Sequence, residues 1–245
     1  LTGEVYLPEA LTEIKNGAFW GDDGITKINF AGSGDTERSL TFGNYAFCDC
    51  KGLARIAFPE NLIQLSAAGG DTYARCDALT EVTIPGSLKQ ITAGMGFRHM
   101  PNVKKFVVEE GVTSIAGDAL PKDAKNKYEE ITIPSTLTQI ADSLFREAAH
   151  LRKVYPTGEE PEADVAVKLP AGIACVGEMA FYQCTGLTGE VHFPETLTEI
   201  KNSAFQGCSG LTGDLSIPDS VKSIGNYAFN GCEKLGEHLY LGDGL

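Results

Sequence analysis

The chain lacks any run of 18 or more apolar residues, so it holds no candidate for a membrane-spanning helix. No basic stretch followed by an apolar core opens it, and no secretory signal is read in its 245 residues. Positive charge is scarce: 20 Lys and Arg stand against 33 Asp and Glu, giving a formal net charge of -13. Nucleic acid is disfavoured as a partner, because phosphate binding draws on clustered Lys and Arg that release counterions. Anionic membranes are disfavoured for the same reason. Histidine is confined to His99, His150, His192 and His238, and none sits in a nucleophile, metal or phosphate motif. No catalytic residue, cofactor site or metal site is assigned, and no enzymatic activity is expected.

What the chain does have is a hydrophobic content of 42%, enough for a sizeable core, distributed as repeats. The segment LTGEVYLPEALTEIKNGAF (1–19) nearly duplicates LTGEVHFPETLTEIKNSAF (187–205), and a related copy follows over 211–229. Self-similarity at a period of roughly 24 residues selects a solenoid over a closed globule. An Ala-Phe step recurs at Phe19, Phe47, Phe181, Phe205 and Phe229, with weaker versions at Tyr73, Phe97, Leu120 and Phe145. About nine turns result, sufficient for a self-supporting stack.

Each copy carries alternating apolar residues such as Val5/Leu7, Val82/Ile84, Ile131/Ile133 and Leu215/Ile217. Period-two alternation reads as a strand, and equivalent strands in successive turns run parallel, one per turn. Pro8, Pro59, Pro85, Pro134, Pro170, Pro194 and Pro218 close several of them. A second apolar pair at spacing three follows, as in Leu11/Ile14 and Leu197/Ile200, facing the same core. The next five residues, such as 201–205, read as a tight turn or a single helical turn, with Phe filling the interior.

The string LTGDLSIPDSVKSIGNYAFNGC (211–232) resembles the repeat of the BspA-like, treponemal-type leucine-rich-repeat family. The likeness is clear over 1–65 and 173–245 and looser between, where insertions interrupt the pattern at 67–71, 121–127 and 156–164. It implies an α/β repeat: a right-handed curved solenoid with one short parallel strand per turn and turns or short helical segments opposite. It also implies a bacterial cell-surface or secreted protein, often a lipoprotein, implicated in adhesion. The whole of 1–245 is expected to form one such solenoid, and both ends stop inside a repeat, which reads as a piece of a longer array.

Of seven cysteines, Cys50, Cys76, Cys184, Cys208 and Cys232 fall three residues after the Phe slot, where other turns place Asp22, Met100 or Ala148. A packing position tolerates such exchange and a ligand set does not, so a ladder of buried thiols is expected. Disulfides between Cys184 and Cys208 or Cys208 and Cys232 stay open, since adjacent turns lie about 4.8 Å apart. Cys48 and Cys50 are expected to be one exposed and one inward thiol. The Gly-rich spots at 31–34 and 69–70 read as loop punctuation. The acidic insertion 158–164 reads as a solvated loop rather than a calcium site.

With apolar strand residues inward, the alternate ones form an outward row: Tyr6, Asn29, Ala57, Thr83, Val107, Thr132, Lys168, His192, Ser216 and Tyr240. A companion row two residues earlier includes Glu4, Lys27, Arg55, Glu81, Lys105, Glu130, Glu190, Asp214 and His238. The candidate partner-binding residues are Tyr6, Asn29, Arg55, Lys105, Lys168, His192, His238 and Tyr240. Amphipathic aromatic groups dominate binding hot spots, which singles out Tyr6, His192 and Tyr240. Trp20 reads either as an exposed contact or as a cover over the first turn. The expected function is a non-enzymatic module binding an extracellular protein or glycan. The alternative is a spacer or scaffold array, with self-association through uncapped ends also open.

Overall fold

A computed structural model describes residues 1–31, 36–69, 71–97, 100, 102–121 and 127–244, apart from the Glu237 side chain. His99, most of the glycine-rich stretch 31–34, Gly70 and most of the insertion 121–127 lie outside the described residues. In chain order the strands open with β1 (Thr2–Leu7), β2 (Glu13–Ile14), β3 (Gly24–Phe30), β4 (Arg38–Phe42), β5 (Arg55–Ala57) and β6 (Leu62–Ala67). They continue with β7 (Glu81–Ile84), β8 (Gln90–Ile91), β9 (Lys105–Val108), β10 (Ser114–Ile115), β11 (Glu130–Ile133), β12 (Gln139–Ile140) and β13 (Lys153–Pro156). The last are β14 (Val165–Lys168), β15 (Cys175–Val176), β16 (Glu190–His192), β17 (Glu199–Ile200), β18 (Gly213–Ile217), β19 (Ser223–Ile224) and β20 (Leu235–Leu241).

Among the described residues every strand pair is parallel, as in β1–β3, β11–β13 and β17–β19. The first sheet runs β1-β3-β5, then β7-β9-β11-β13-β14-β16, then β18-β20. A second sheet runs β2-β4-β6, β8-β10 and β12-β15-β17-β19. Each full coil therefore contributes two strands rather than the single one expected. The second strand is mostly two residues long, one inward and one outward, too short for alternation to announce it. Proline makes the corner between the sheets: the carbonyls of Pro8, Pro59, Pro85, Pro134, Pro170, Pro194 and Pro218 each accept from the apolar residue three positions on, at 3.0–3.1 Å.

The third side of the coil corrects the helical expectation. Among the described residues the one helical element is a 3₁₀ turn, Ala93–Met95, so the fold is a β-solenoid rather than an α/β repeat. In the coils of Phe47, Phe145 and Phe181 the residues two before and two after the Phe slot adopt left-handed backbone without being glycine. Tyr45, Asp49, Ser143, Glu147, Met179 and Gln183 all have φ between 53° and 64°. Left-handed residues alternating with right-handed ones turn every second N–H along the solenoid axis. Ser143, Phe145 and Glu147 donate to the carbonyls of Glu178, Ala180 and Tyr182 in the next coil at 2.7–2.8 Å, while Leu144 and Arg146 donate three residues back. A helix would have consumed all five donors internally.

Inside, the Phe-slot rings stack coil on coil. Phe19, Phe47 and Tyr73 have centroid spacings of 5.4 and 5.7 Å, and Phe145, Phe181, Phe205 and Phe229 have spacings of 4.9, 4.8 and 5.3 Å. Trp20 is 55% exposed and stacks on Tyr45 at 5.2 Å, outside this column.

The cysteine slot has a specific bond. Cys50, Cys76, Cys184, Cys208 and Cys232 each donate Sγ–H to the carbonyl of the slot aromatic one coil earlier, at 2.9–3.1 Å. All seven cysteines are free thiols. Cys48 is buried like Cys50, contrary to the split expected of the pair, because Arg75 lies over it with Nη2 3.8 Å from its sulfur. Burial pushes the Cys50 thiol up to about 11 and the Cys76 thiol up to about 12.

Two predictions follow from this interior. Thiols raised in the fold from an unfolded value near 8.5 contribute stability that is full below that pH and lost as pH rises towards 11–12. The urea midpoint is expected to fall between about pH 8.5 and 10, before unfolded tyrosines ionise, and Cys50→Ala with Cys76→Ala should flatten that fall. An unchanged slope in the double variant would contradict this assignment. Tyr73 is 1% exposed and its hydroxyl has no partner among the described residues. Tyr73→Phe should therefore raise unfolding free energy by about 1 kcal/mol, measured by urea titration; a loss would show that the hydroxyl is satisfied.

Candidate functional site

Strand register aligns the outward residues into the two expected rows. Glu4 pairs with Lys27 and Tyr6 with Asn29, Lys27 continues to Arg55, Lys168 stands beside His192, and Ser216 beside Tyr240. The eight candidate residues share one face but do not form one compact site. Ten strand spacings of about 4.8 Å place its ends on the order of 50 Å apart.

At one end Glu4 collects the polar groups. Its Oε2 accepts from Asn29 Nδ2 at 2.9 Å, Tyr6 Oη at 3.0 Å and Lys27 Nζ at 3.5 Å. The Asn29 and Tyr6 bonds hold the Glu4 carboxyl below its usual range, and the same bond pushes the Tyr6 phenol up. Tyr6 stays 71% exposed, an amphipathic ring fixed at its hydroxyl. Arg55 sits where the sheet opens between β5 and β7, lining a hollow of about 140 Å³ with Glu81 and Thr83.

The middle of the face is covered, contrary to the expected continuous row. Thr132 is 4% exposed: its hydroxyl accepts from Val108 N at 2.9 Å and donates to Val108 O at 3.2 Å, bridging β9 and β11 where their ladder ends. Tyr155 on β13 is also 4% exposed and donates to Glu130 Oε2 at 3.1 Å. Burial pulls the Lys105 ammonium down, but the hydrogen bond with Tyr155 and the charges of Glu130 and Glu81 outweigh it and leave it raised.

Strand β13 and the segment 157–164 behind it were not foreseen as part of this face. β13 inserts into the first sheet between β11 and β14, while in the second sheet β12 pairs directly with β15. The bond from Glu178 N to Asp142 Oδ1 accordingly spans 36 residues, where the equivalent bond from Asn226 to Asn202 spans 24. Lys153 Nζ donates to the carbonyls of Glu162, Ala163 and Val165 at 2.7 Å each. Lys168 Nζ holds Glu159 and Glu162 at 2.8 Å each, which pushes the Lys168 ammonium up and the Glu162 carboxyl down. Two carboxylates of this segment and three carbonyls at its end are thus engaged by two ammonium groups. Val154, Tyr155 and the closing Pro156 are the strand signal that could have revealed β13.

At the other end His192 Nε2 lies 2.9 Å from Glu190 Oε2, and Asp214 Oδ1 takes both the backbone N–H and Nδ1 of His238 at 3.0 Å. Tyr240, 56% exposed, lies 6.3 Å from the His238 ring. The histidines stand on different strands, each with its own carboxylate. Among the described residues no group of three or more His, Cys, Asp or Glu could hold a metal ion. None of the described helices is long and apolar enough to cross a membrane.

Stacked two-strand coils with an aromatic and cysteine column define a repeat protein of the leucine-rich class. The family described as BspA type leucine rich repeat region matches residues 12–152 and 165–240 in six copies, and the chain belongs to it. Similar solved structures include a leucine-rich repeat protein from Bacteroides ovatus, with 21% identity over 95% of this chain and 73% of that one, TM-score 0.45. A leucine rich cell surface protein from Faecalibacterium prausnitzii has 21% identity over 96% and 79%, TM-score 0.34. The pneumococcal vaccine antigen PcpA has 20% identity over 99% and 66%, TM-score 0.41. No curated protein is matched by the chain.

Removing the Lys153 ammonium strands three carbonyls. Lys153→Met should raise amide hydrogen exchange across 157–166 while leaving the exchange of β17 and β19 unchanged; unaltered exchange in 157–166 would show that the loop is held by other contacts.

Proposed function

We propose that the chain is a non-enzymatic binding module of a bacterial surface protein that engages an extracellular protein or glycan through the outward face of the first sheet. The observation that carries this reading is the exposure of Tyr6 at one end and of His192 and Tyr240 at the other, on a broad face whose hollows beside Arg55 are only about 140 Å³. Shallow hollows of that size suit a macromolecular contact better than an enclosed small molecule. Asn29, Arg55 and Lys105 extend the first group, and Lys168 and His238 the second. The pairing of most charges on this face also favours a second reading, in which the rigid stack is a spacer that presents another domain.

Binding of the 245-residue protein to an array of matrix proteins and glycans separates the two. Saturable binding that Tyr6→Ala, His192→Ala and Tyr240→Ala together reduce by about tenfold or more is the expected result. Binding that survives the triple substitution relocates the contact, and no binding across the array favours the spacer.

A further inference from the structure

Both sheets are interrupted at the same place. Between the coil of β5 and β6 and the coil of β7 and β8 neither ladder continues, whereas every other junction of the described coils keeps at least one sheet paired. Among the described residues, no backbone hydrogen bond outside the strands joins 54–77 to 80–102 either. The local sequence accounts for the break. From the end of the second strand to the slot aromatic, these two coils take one residue more, Ala67 to Tyr73 and Ile91 to Phe97, than coils such as Phe42 to Phe47 or Ile200 to Phe205. In the coil of β7 and β8 the surplus is wound into the 3₁₀ turn Ala93–Met95, whose Met95 N–H returns to Thr92 O at 3.2 Å instead of pointing along the axis.

What crosses the junction is apolar packing with two side-chain bonds. Phe58 meets Phe97 edge-on at 6.1 Å, and a Cβ on Gly96 would lie 3.0 Å from Ala67 Cβ. Ser87 Oγ donates to Leu62 O at 2.6 Å and, at the surface, Asn102 Nδ2 donates to Asp77 Oδ1 at 2.9 Å. Apolar contact is non-directional, so surfaces held by it tilt across one another at little cost, while a ladder fixes both spacing and angle. The contact is close where Gly96 meets Ala67 and open along the first sheet. There two hollows of about 140 Å³, lined by Arg55, Ile56, Phe58, Thr83 and Pro85 among others, leave room for a tilt.

We propose that this junction is a hinge: residues 1–77 and 80–244 are two rigid bodies that pivot about the Gly96–Ala67 contact, opening and closing the first sheet between β5 and β7. Tyr6, Asn29 and Arg55 move with the first body, and Lys105, Lys168, His192 and Tyr240 with the second, so the spacing between the two groups varies. The hinge is a property of the coil junction and stands whether or not the first-sheet face binds a partner.

Nitroxide labels on the outward row of the second sheet test it in the 245-residue protein, with Cys175→Ala removing the one thiol that is not buried. Glu13→Cys with Ser114→Cys runs from β2 to β10 across the junction, and Ser114→Cys with Ser223→Cys runs over as many coils from β10 to β19 without crossing it. Dipolar electron spin resonance is expected to give a distance distribution at least about twice as wide for the first pair as for the second. Ser87→Ala, which removes the bond to Leu62, should widen the first distribution further. Ser220→Ala removes the matching 2.6 Å bond to Leu197 where the second-sheet ladder is intact, and should leave the second distribution unchanged. Equal widths for the two label pairs, or a response to Ser87→Ala no larger than that to Ser220→Ala, would overturn the proposal.

Discussion

Backbone N–H groups that point along the axis of the stack have one source of partners, the neighbouring coil, and the rest of the structure follows from meeting that demand on every side. The two sheets do so with parallel ladders. On the third side the chain alternates left- and right-handed residues so that Phe145, Phe181 and Phe205 each donate to the next coil. Side chains complete the ladder where backbone cannot: Asn16 and Asn202 accept from the N–H of Asn44 and Asn226 at 2.8 Å, and the slot cysteines cover the aromatic carbonyls. The coils approach so closely there that a Cβ on Gly43 or Gly225 would lie 2.3–2.4 Å from the backbone nitrogen of Asn16 or Asn202. Buried polar groups satisfied by neighbours in register make each coil a template for the next.

What the sequence revealed were the features with a side-chain period. The alternation of Val82 and Ile84, the spacing of Leu197 and Ile200, the Phe slot and the corner prolines were all legible, and they place the core correctly. Features carried by backbone alone were not. Residues such as Tyr45, Arg75 and Ser143 adopt left-handed φ without the glycine that usually marks it, because the stack supplies the compensating hydrogen bonds. The second sheet escaped notice because a strand such as Glu199–Ile200 offers only one inward residue.

The outward face was legible in composition and register but not in exposure. Alternation correctly assigned Tyr6, Asn29, His192 and Tyr240 to it. Yet Thr132 faces β9 rather than solvent, since its hydroxyl replaces ladder bonds that β9 and β11 no longer make. The charges of this face were also read singly, whereas Glu4, Glu130, Glu190 and Asp214 each hold a neighbour. A face so paired projects little net field, leaving its exposed aromatic rings as the features that distinguish one region from another.

The one-sided insertion of β13 acts on the course of the whole stack. A strand added to the first sheet without a counterpart in the second lengthens one wall by about 4.8 Å, and across packed sheets about 10 Å apart that amounts to a wedge angle on the order of 25°. The array then behaves as two arms joined at an elbow near residues 140–175, not as a uniform arc. The separation of Tyr6 and Tyr240 therefore follows the number of coils, while the direction in which one lies from the other is set by a single splice in the repeat. Changing the length of that splice would re-aim one arm relative to the other without altering a single residue displayed on either.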